Sequence, residues 1–272
     1  MWITTIVAVS ALVIGLLLKR FLRARLVGEN AESVTVRDLI SPVETLATLI
    51  LAFAIVVAAE SFGAAGEASR TEAGAVDHLY EVADFVEGPA RERLQADTVC
   101  YARAVQFHEW PHMARSETSK VPSVWSTRLR TDLKEADKNG PTFEMIVAAD
   151  DERSQARQKR VSEASATIPE VMYWFMLLAL AVVIAGLAFC LPHRKQGTEL
   201  ACLVVLSALI AGCLMLTRDI DRPFDGLIRV DAAAMRATQT DISDDFARAY
   251  PNSPLPCDAS GAKTTRPTAD AS

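Results

Sequence analysis

Residues 171–191 read VMYWFMLLALAVVIAGLAFCL, 21 consecutive positions without an Asp, Glu, Lys or Arg. At about 1.5 Å of rise per residue a helix of this length reaches roughly 31 Å, the thickness of a bilayer's hydrocarbon core. Three more runs of this kind lie outward from it, at residues 2–18, 43–59 and 200–217, and Glu44 is the one charged residue in them. Half of the 272 residues are apolar, a proportion a soluble domain could also have. Their gathering into four blocks excludes that reading. The pattern predicts an all-α, four-span transmembrane protein whose spans form two pairs around a helical, water-facing domain between spans two and three. The expected boundaries are span one at 1–18, a basic loop at 19–42, span two at 43–59 and the extramembrane domain at 60–167. Span three at 168–191, a short loop at 192–198, span four at 199–217, a segment at 218–257 and a disordered tail at 258–272 complete the chain.

An intramembrane carboxylate is a functional-site hypothesis by default, but Ser41-Pro42-Val43-Glu44 has the spacing of a capping box with proline at the first helical position. Thr167-Ile168-Pro169-Glu170 repeats it before span three. With both carboxylates assigned to caps the spans hold no ionisable group, which argues against a proton-coupled pump or ion-coupled transporter. Residues 2–18 lack a basic n-region, and no small-residue cleavage site precedes Lys19, Arg20, Arg23 and Arg25, so the run reads as a retained span rather than a cleaved signal.

Segments 19–38 and 192–198 carry seven Lys or Arg in 27 residues, including Arg37, Arg194 and Lys195. The positive-inside rule places them in the cytoplasm, and puts the N-terminus, the middle domain and the C-terminus outside. Arg153, Arg157, Lys159, Arg160, Arg218 and Arg222 near span ends weigh on the other side. Cys190, Cys202 and Cys213 fall within spans, whereas Cys100 and Cys257 lie in the two large segments of the same face. Those two could pair on an oxidising face or remain separate thiols.

In the middle region apolar residues recur at helical spacing, as at Val76, Leu79, Ala83 and Val86 and then Leu94, Tyr101 and Val105. This predicts a helical hairpin broken at Gly88-Pro89, with further breaks at Pro111, Pro122 and Gly140-Pro141. The charged stretch 150–160 reads as a solvated stalk. With 14 basic against 19 acidic residues in 60–167, the region has no basic patch for nucleic acid. From Asp258 the composition cannot bury a core, and disorder is expected.

His108-Glu109-Trp110-Pro111-His112 matches the zinc-protease pattern H-E-x-x-H letter for letter. That pattern places two histidines one helical turn apart with the glutamate as base. Proline within the turn removes a backbone donor and clashes with the carbonyl of residue 107, so the ring geometry is expected to fail. No metal, cofactor or catalytic residue is expected, and metalloprotease is the remote reading.

Glu72-Ala73, Tyr101-Ala102-Arg103, Glu109-Trp110-Pro111 and Asp221-Arg222-Pro223-Phe224-x-Gly226, in this order over about residues 40–235, resemble the bacterial bestrophin-like family. Its most specific piece is the D-R-P-F-x-G run. The resemblance implies a multi-pass protein of the bacterial plasma membrane and comparison with bestrophins, which are oligomeric anion channels. No bestrophin pore or calcium-binding motif is matched residue by residue. Bestrophins keep the region between spans two and three in the cytosol, opposite to the charge count here. Arg222 is expected to bridge Glu72 or Glu109, with Phe224 packed beside it, or else to draw an anion to a pore mouth. The partners expected are the lipid bilayer, a homo-oligomer and an anion. Two functions compete: an oligomeric pore for anions or small solutes, packed through small residues such as Gly186 and the Ala208-x-x-x-Gly212 pair, and a non-conducting envelope protein whose outer domain binds a partner or senses stress.

Overall fold

The structure is a computed structural model and describes residues 2–26, 36–115, 117–135, 141–190 and 196–264. Regular structure among them is helical: α1 (Trp2–Leu26), α2 (Val36–Ala83), α3 (Pro89–Ala104), a π-helical turn (Val105–Glu109), α4 (Trp110–Met113), α5 (Val121–Glu135), α6 (Pro141–Ser162), α7 (Glu170–Cys190), α8 (Gln196–Ile220) and α9 (Ala233–Ala249). Four of these helices are long and apolar enough to cross a membrane, at Trp2–Phe21, Ser41–Ala83, Glu170–Phe189 and Gly197–Ile220. The chain divides into two compact units, Met1–Ser61 with Ala166–Asp221 and Phe62–Ser165 with Arg222–Ser272.

Helices outrun the apolar blocks that announce them. α1 continues past Lys19 and Arg20 to Leu26, and α2 starts at Val36 and ends at Ala83. Lys and Arg are good helix formers whose long stems lie along apolar surface while their heads reach water, so charge ends a span without ending its helix. Ser41 and Glu44 are consequently inside α2, with Pro42 in the helix, and the cap expected there is not formed. The side chains of Arg23, Arg25, Arg37 and Cys190, residues 192–195 of the short loop and residues 265–272 lie outside what is described.

In the first unit Ala8 and Ala11 of α1, Ala54 of α2, Tyr173, Leu177, Leu180 and Ile184 of α7, and Ala211 and Leu214 of α8 form one apolar core. Gly15 sets the closest approach: a Cβ there would lie 2.5 Å from the Ala185 carbonyl oxygen, so only glycine lets α1 meet α7. Large apolar side chains point outward, among them Phe53, Val171 and Leu209, as lipid solvation allows. The start of α7 is capped by a residue far along the chain. The Thr167 and Ile168 amides donate to Asp221 Oδ1 at 3.1 and 3.0 Å, while the Thr167 hydroxyl, expected to cap, pairs with Ser61 Oγ at 2.8 Å.

The second unit is a helical domain. α2 turns into α3 at Gly88, whose φ of 73° is in the left-handed region, and Pro89 opens α3. Val76, Tyr80, Val99, Tyr101 and Trp125 pack with Met235, Ile242 and Phe246 of α9. Leu79, Leu94, Leu129, Leu133 and Ile146 make a second cluster. Cys100 and Cys257 are joined by a disulfide with Cα atoms 5.7 Å apart.

Residues 258–264, expected to be disordered, are ordered against α3. Asp258 Oδ1 accepts from the Ser260 amide, the Ser260 hydroxyl and the Ala262 amide, an Asx-type turn. Gly261, at φ 82°, presses its backbone onto Ala104, where a Cβ would meet the amide nitrogen at 2.3 Å. Its carbonyl accepts from the Trp125 indole at 2.7 Å. Composition judged this segment unable to build a core; it does not build one but closes over one already made.

Candidate functional site

α6 brings the chemistry of the helical domain together. Arg153, Arg157 and Arg160 recur at i, i+4 and i+7, which places them on one helix face, and that face is turned inward. Arg153 and Arg160 have no exposed surface. Arg160 donates to Glu72 through Nε and to Glu109 and the Met113 sulfur through its two Nη atoms. Arg157 grips Glu109 with Nε at 3.2 Å and Nη2 at 2.6 Å from Oε1 and reaches Ser123 Oγ with Nη1 at 3.2 Å. Arg153 holds Asp150 Oδ1 through Nε at 3.0 Å and Nη2 at 2.5 Å. It stacks 4.5 Å above the Tyr101 ring, while the Tyr101 hydroxyl donates to Glu72 Oε1 at 2.5 Å.

The three α6 guanidinium groups thus meet three carboxylates, Glu72, Glu109 and Asp150, charge for charge, and the exposed Arg130 joins at the rim, its Nε 3.8 Å from Asp150 Oδ2. Burial alone would raise the Glu109 carboxyl; the adjacent Arg160 and Arg157 outweigh it and hold that carboxyl below its ordinary value. Burial likewise opposes the charge of Arg160, yet Glu72 and Glu109 push its basicity above normal. Tyr101, fully enclosed beside Glu72, is held well above the usual phenol range and stays a donor.

The remaining motif residues divide between the units. Trp110 lies 5.0 Å below the Arg160 guanidinium, makes an edge contact with Phe224 at 5.6 Å and donates to the Val230 carbonyl at 3.2 Å. Pro223 and Phe224 are buried, and Gly226 takes φ 90°. The helical domain therefore unites Glu72, Tyr101, Glu109, Trp110, Pro223 and Phe224. Asp221 belongs to the other unit as the α7 cap. Arg222 is exposed, and the bridge expected from it to Glu72 or Glu109 is made by Arg160. The reason is steric access: both carboxylates are at 0% exposure, enclosed by the domain's own helices. α6 is accordingly not the solvated stalk that its run of charge predicts, because its arginine face is turned into the domain. Its one usable signal was the i, i+4, i+7 spacing of the arginines.

Pro111 does not end the helix. The chain widens to a π turn over Val105–Glu109, with the Trp110 amide donating to the Val105 carbonyl, and resumes as α4 with the proline in its first turn. A proline, with no N–H to donate to the i−4 carbonyl, is accommodated where the ladder changes pitch. His108 Nε2 pairs with Ser260 Oγ at 3.2 Å, and His112 Nδ1 with the His108 carbonyl at 2.6 Å. Glu109 is committed to two arginines and has no surface at which to activate a water. Among the described residues no group of three or more His, Cys, Asp or Glu is placed to hold a metal.

The family model described as Bestrophin-like domain matches residues 5–235. Two structures of a bacterial bestrophin homologue from Klebsiella pneumoniae, each carrying a point mutation, share the fold. One has a TM-score of 0.65 at 14% identity, over 89% of this chain and 98% of that one. The other has 0.63 at 13%, over 91% and 100%. No curated protein matches the chain.

Proposed function

The chain belongs to the bestrophin-like family of membrane proteins, and from that premise we propose that it assembles as an oligomeric pore for anions or small solutes, with its helical domain outside the cytoplasm. The observation that carries the reading is one face of α2. Leu49, Phe53, Val56, Glu60, Gly63, Glu67, Arg70 and Gly74 succeed one another at three- and four-residue steps, and each is exposed. A Cβ at Gly63 or Gly74 would meet nothing within 4 Å. Mid-helix glycine costs about 1 kcal/mol relative to alanine, a cost that close approach by a neighbouring copy would offset. Gly212 of α8 is open in the same way, so the small residues of the Ala208-x-x-x-Gly212 pair remain available to another chain. The stripe changes from apolar to polar along its length, as a wall running from a dewetting constriction into water would.

The disulfide supports the proposed orientation. Cys100 and Cys257 are bonded, and such bonds persist in the oxidising space outside a bacterial plasma membrane. The seven basic residues of segments 19–38 and 192–198 favour the same arrangement. The closed α6 arginine cluster, matched charge for charge, favours a second reading, a non-conducting envelope protein whose outer domain is a rigid scaffold. Purified protein in liposomes loaded with an anion-sensitive dye separates the two. Flux of chloride, bromide or nitrate above empty liposomes is expected, and none from a verified oligomer would remove the pore.

A further inference from the structure

Glu44 is eight residues inside α2, more than two turns from Val36, so helix capping does not account for it. Among the described residues no hydrogen bond or ion pair engages its carboxylate. It lines a cavity of about 270 Å³ between α2, α7 and α8. Thr48 is beside it, but that hydroxyl is spent on the Glu44 backbone carbonyl at 2.8 Å. The other described walls are apolar, including Leu51, Met176, Leu180, Leu187 and Ile210, and among the described residues no Lys, Arg or His lines the space. Along α7, Met176 to Leu187 spans roughly 16 Å of helical rise. Glu44 stands where the apolar run 43–59 begins, so the carboxylate sits at the end of the groove nearest the lipid headgroups and the apolar part leads inward.

An occupant of this shape is long and apolar, with a cationic hydrogen-bond donor at one end. We propose that the groove is a lipid site that seats an acyl chain of an aminophospholipid and receives its primary ammonium on Glu44. Among the described residues an anionic headgroup meets a carboxylate and no compensating base there. A choline headgroup carries charge but no N–H. One charge-assisted hydrogen bond in this setting sets a preference of about tenfold for the ammonium.

The test is lipid retention by the intact purified protein, measured by native mass spectrometry after exchange into nanodiscs of phosphatidylethanolamine, phosphatidylglycerol or phosphatidylcholine. The wild type is expected to retain phosphatidylethanolamine about tenfold over the others. Glu44→Gln is expected to level the three. Ala179→Trp, which fills the groove, is expected to lose the retained lipid while eluting as the wild type does. Equal retention of all three lipids by the wild type, or a preference that survives Glu44→Gln, overturns the proposal. So does a Leu206→Cys variant that cross-links to a second copy, since the groove would then be a subunit contact.

Discussion

Arg160 is the residue on which the most depends, because it answers two buried carboxylates at once. Removing one member of a buried ion pair leaves its partner charged and unsolvated, at a cost of about 3–5 kcal/mol. Arg160→Ala is therefore expected to lower the unfolding midpoint of the purified protein sharply, whereas Arg222→Ala, an exposed change, is expected to stay within about 0.5 kcal/mol of wild type. A melt in which the two behaved alike would contradict the assignment. Asp97 makes a prediction in pH. Burial pushes its carboxyl up to about 6, against the pull of Arg128, whose Nε is 2.8 Å away. The folded protein then binds the proton more tightly than the unfolded chain does. This contribution to stability grows as pH falls through 6 toward 4, and is lost as pH rises through 6. Asp97→Asn is expected to flatten the melting temperature across that window.

At the scale of the element, the four spans were legible because a helix in lipid must be apolar over a length the bilayer sets. The polar helices were not. α6 holds its charges inside through carboxylates as far as 88 positions away in sequence, and no local window contains both halves of such a pair. In α9 only Met235, Ile242 and Phe246 mark one face, at steps of seven and four, a sparse signal among polar residues. Of the candidate site, Glu72, Tyr101, Glu109 and Trp110 were visible as motif residues, while their arginine partners were not, since each motif names only one side of its ion pair. The C-terminal turn offers a test of its own. Gly261→Ala adds a methyl group against the Ala104 backbone at a positive φ, which is expected to cost about 1–3 kcal/mol locally. Limited proteolysis should then cut the C-terminal segment faster than in wild type, and an unchanged rate would mean the contact is dispensable. On α2, Phe53→Ala is expected to raise anion flux in the liposome assay if the exposed stripe borders the conduction path.

For the molecule as a whole, the proposed orientation turns on a chemical state that can be read in cells. Alkylation of intact cells before lysis, followed by reduction and a mass-tagged maleimide, is expected to shift the protein by the two cysteines of the bond only after reduction. Tagging of Cys100 and Cys257 without reductant would instead indicate a reducing compartment and place the helical domain in the cytosol.

The same bond changes what kind of polymer this chain is. Cys100 and Cys257 are 157 positions apart, and α7 and α8 lie entirely between them. The polypeptide is therefore a closed covalent ring that includes α7 and α8, with the rest of the chain attached at its two cysteines. A protease that nicks the backbone anywhere between those cysteines produces no fragments, because both sides of the cut stay on the ring. Such a molecule tolerates a single scission in its exposed loops without parting from its last two spans, and separates only when a cut and a reductant coincide.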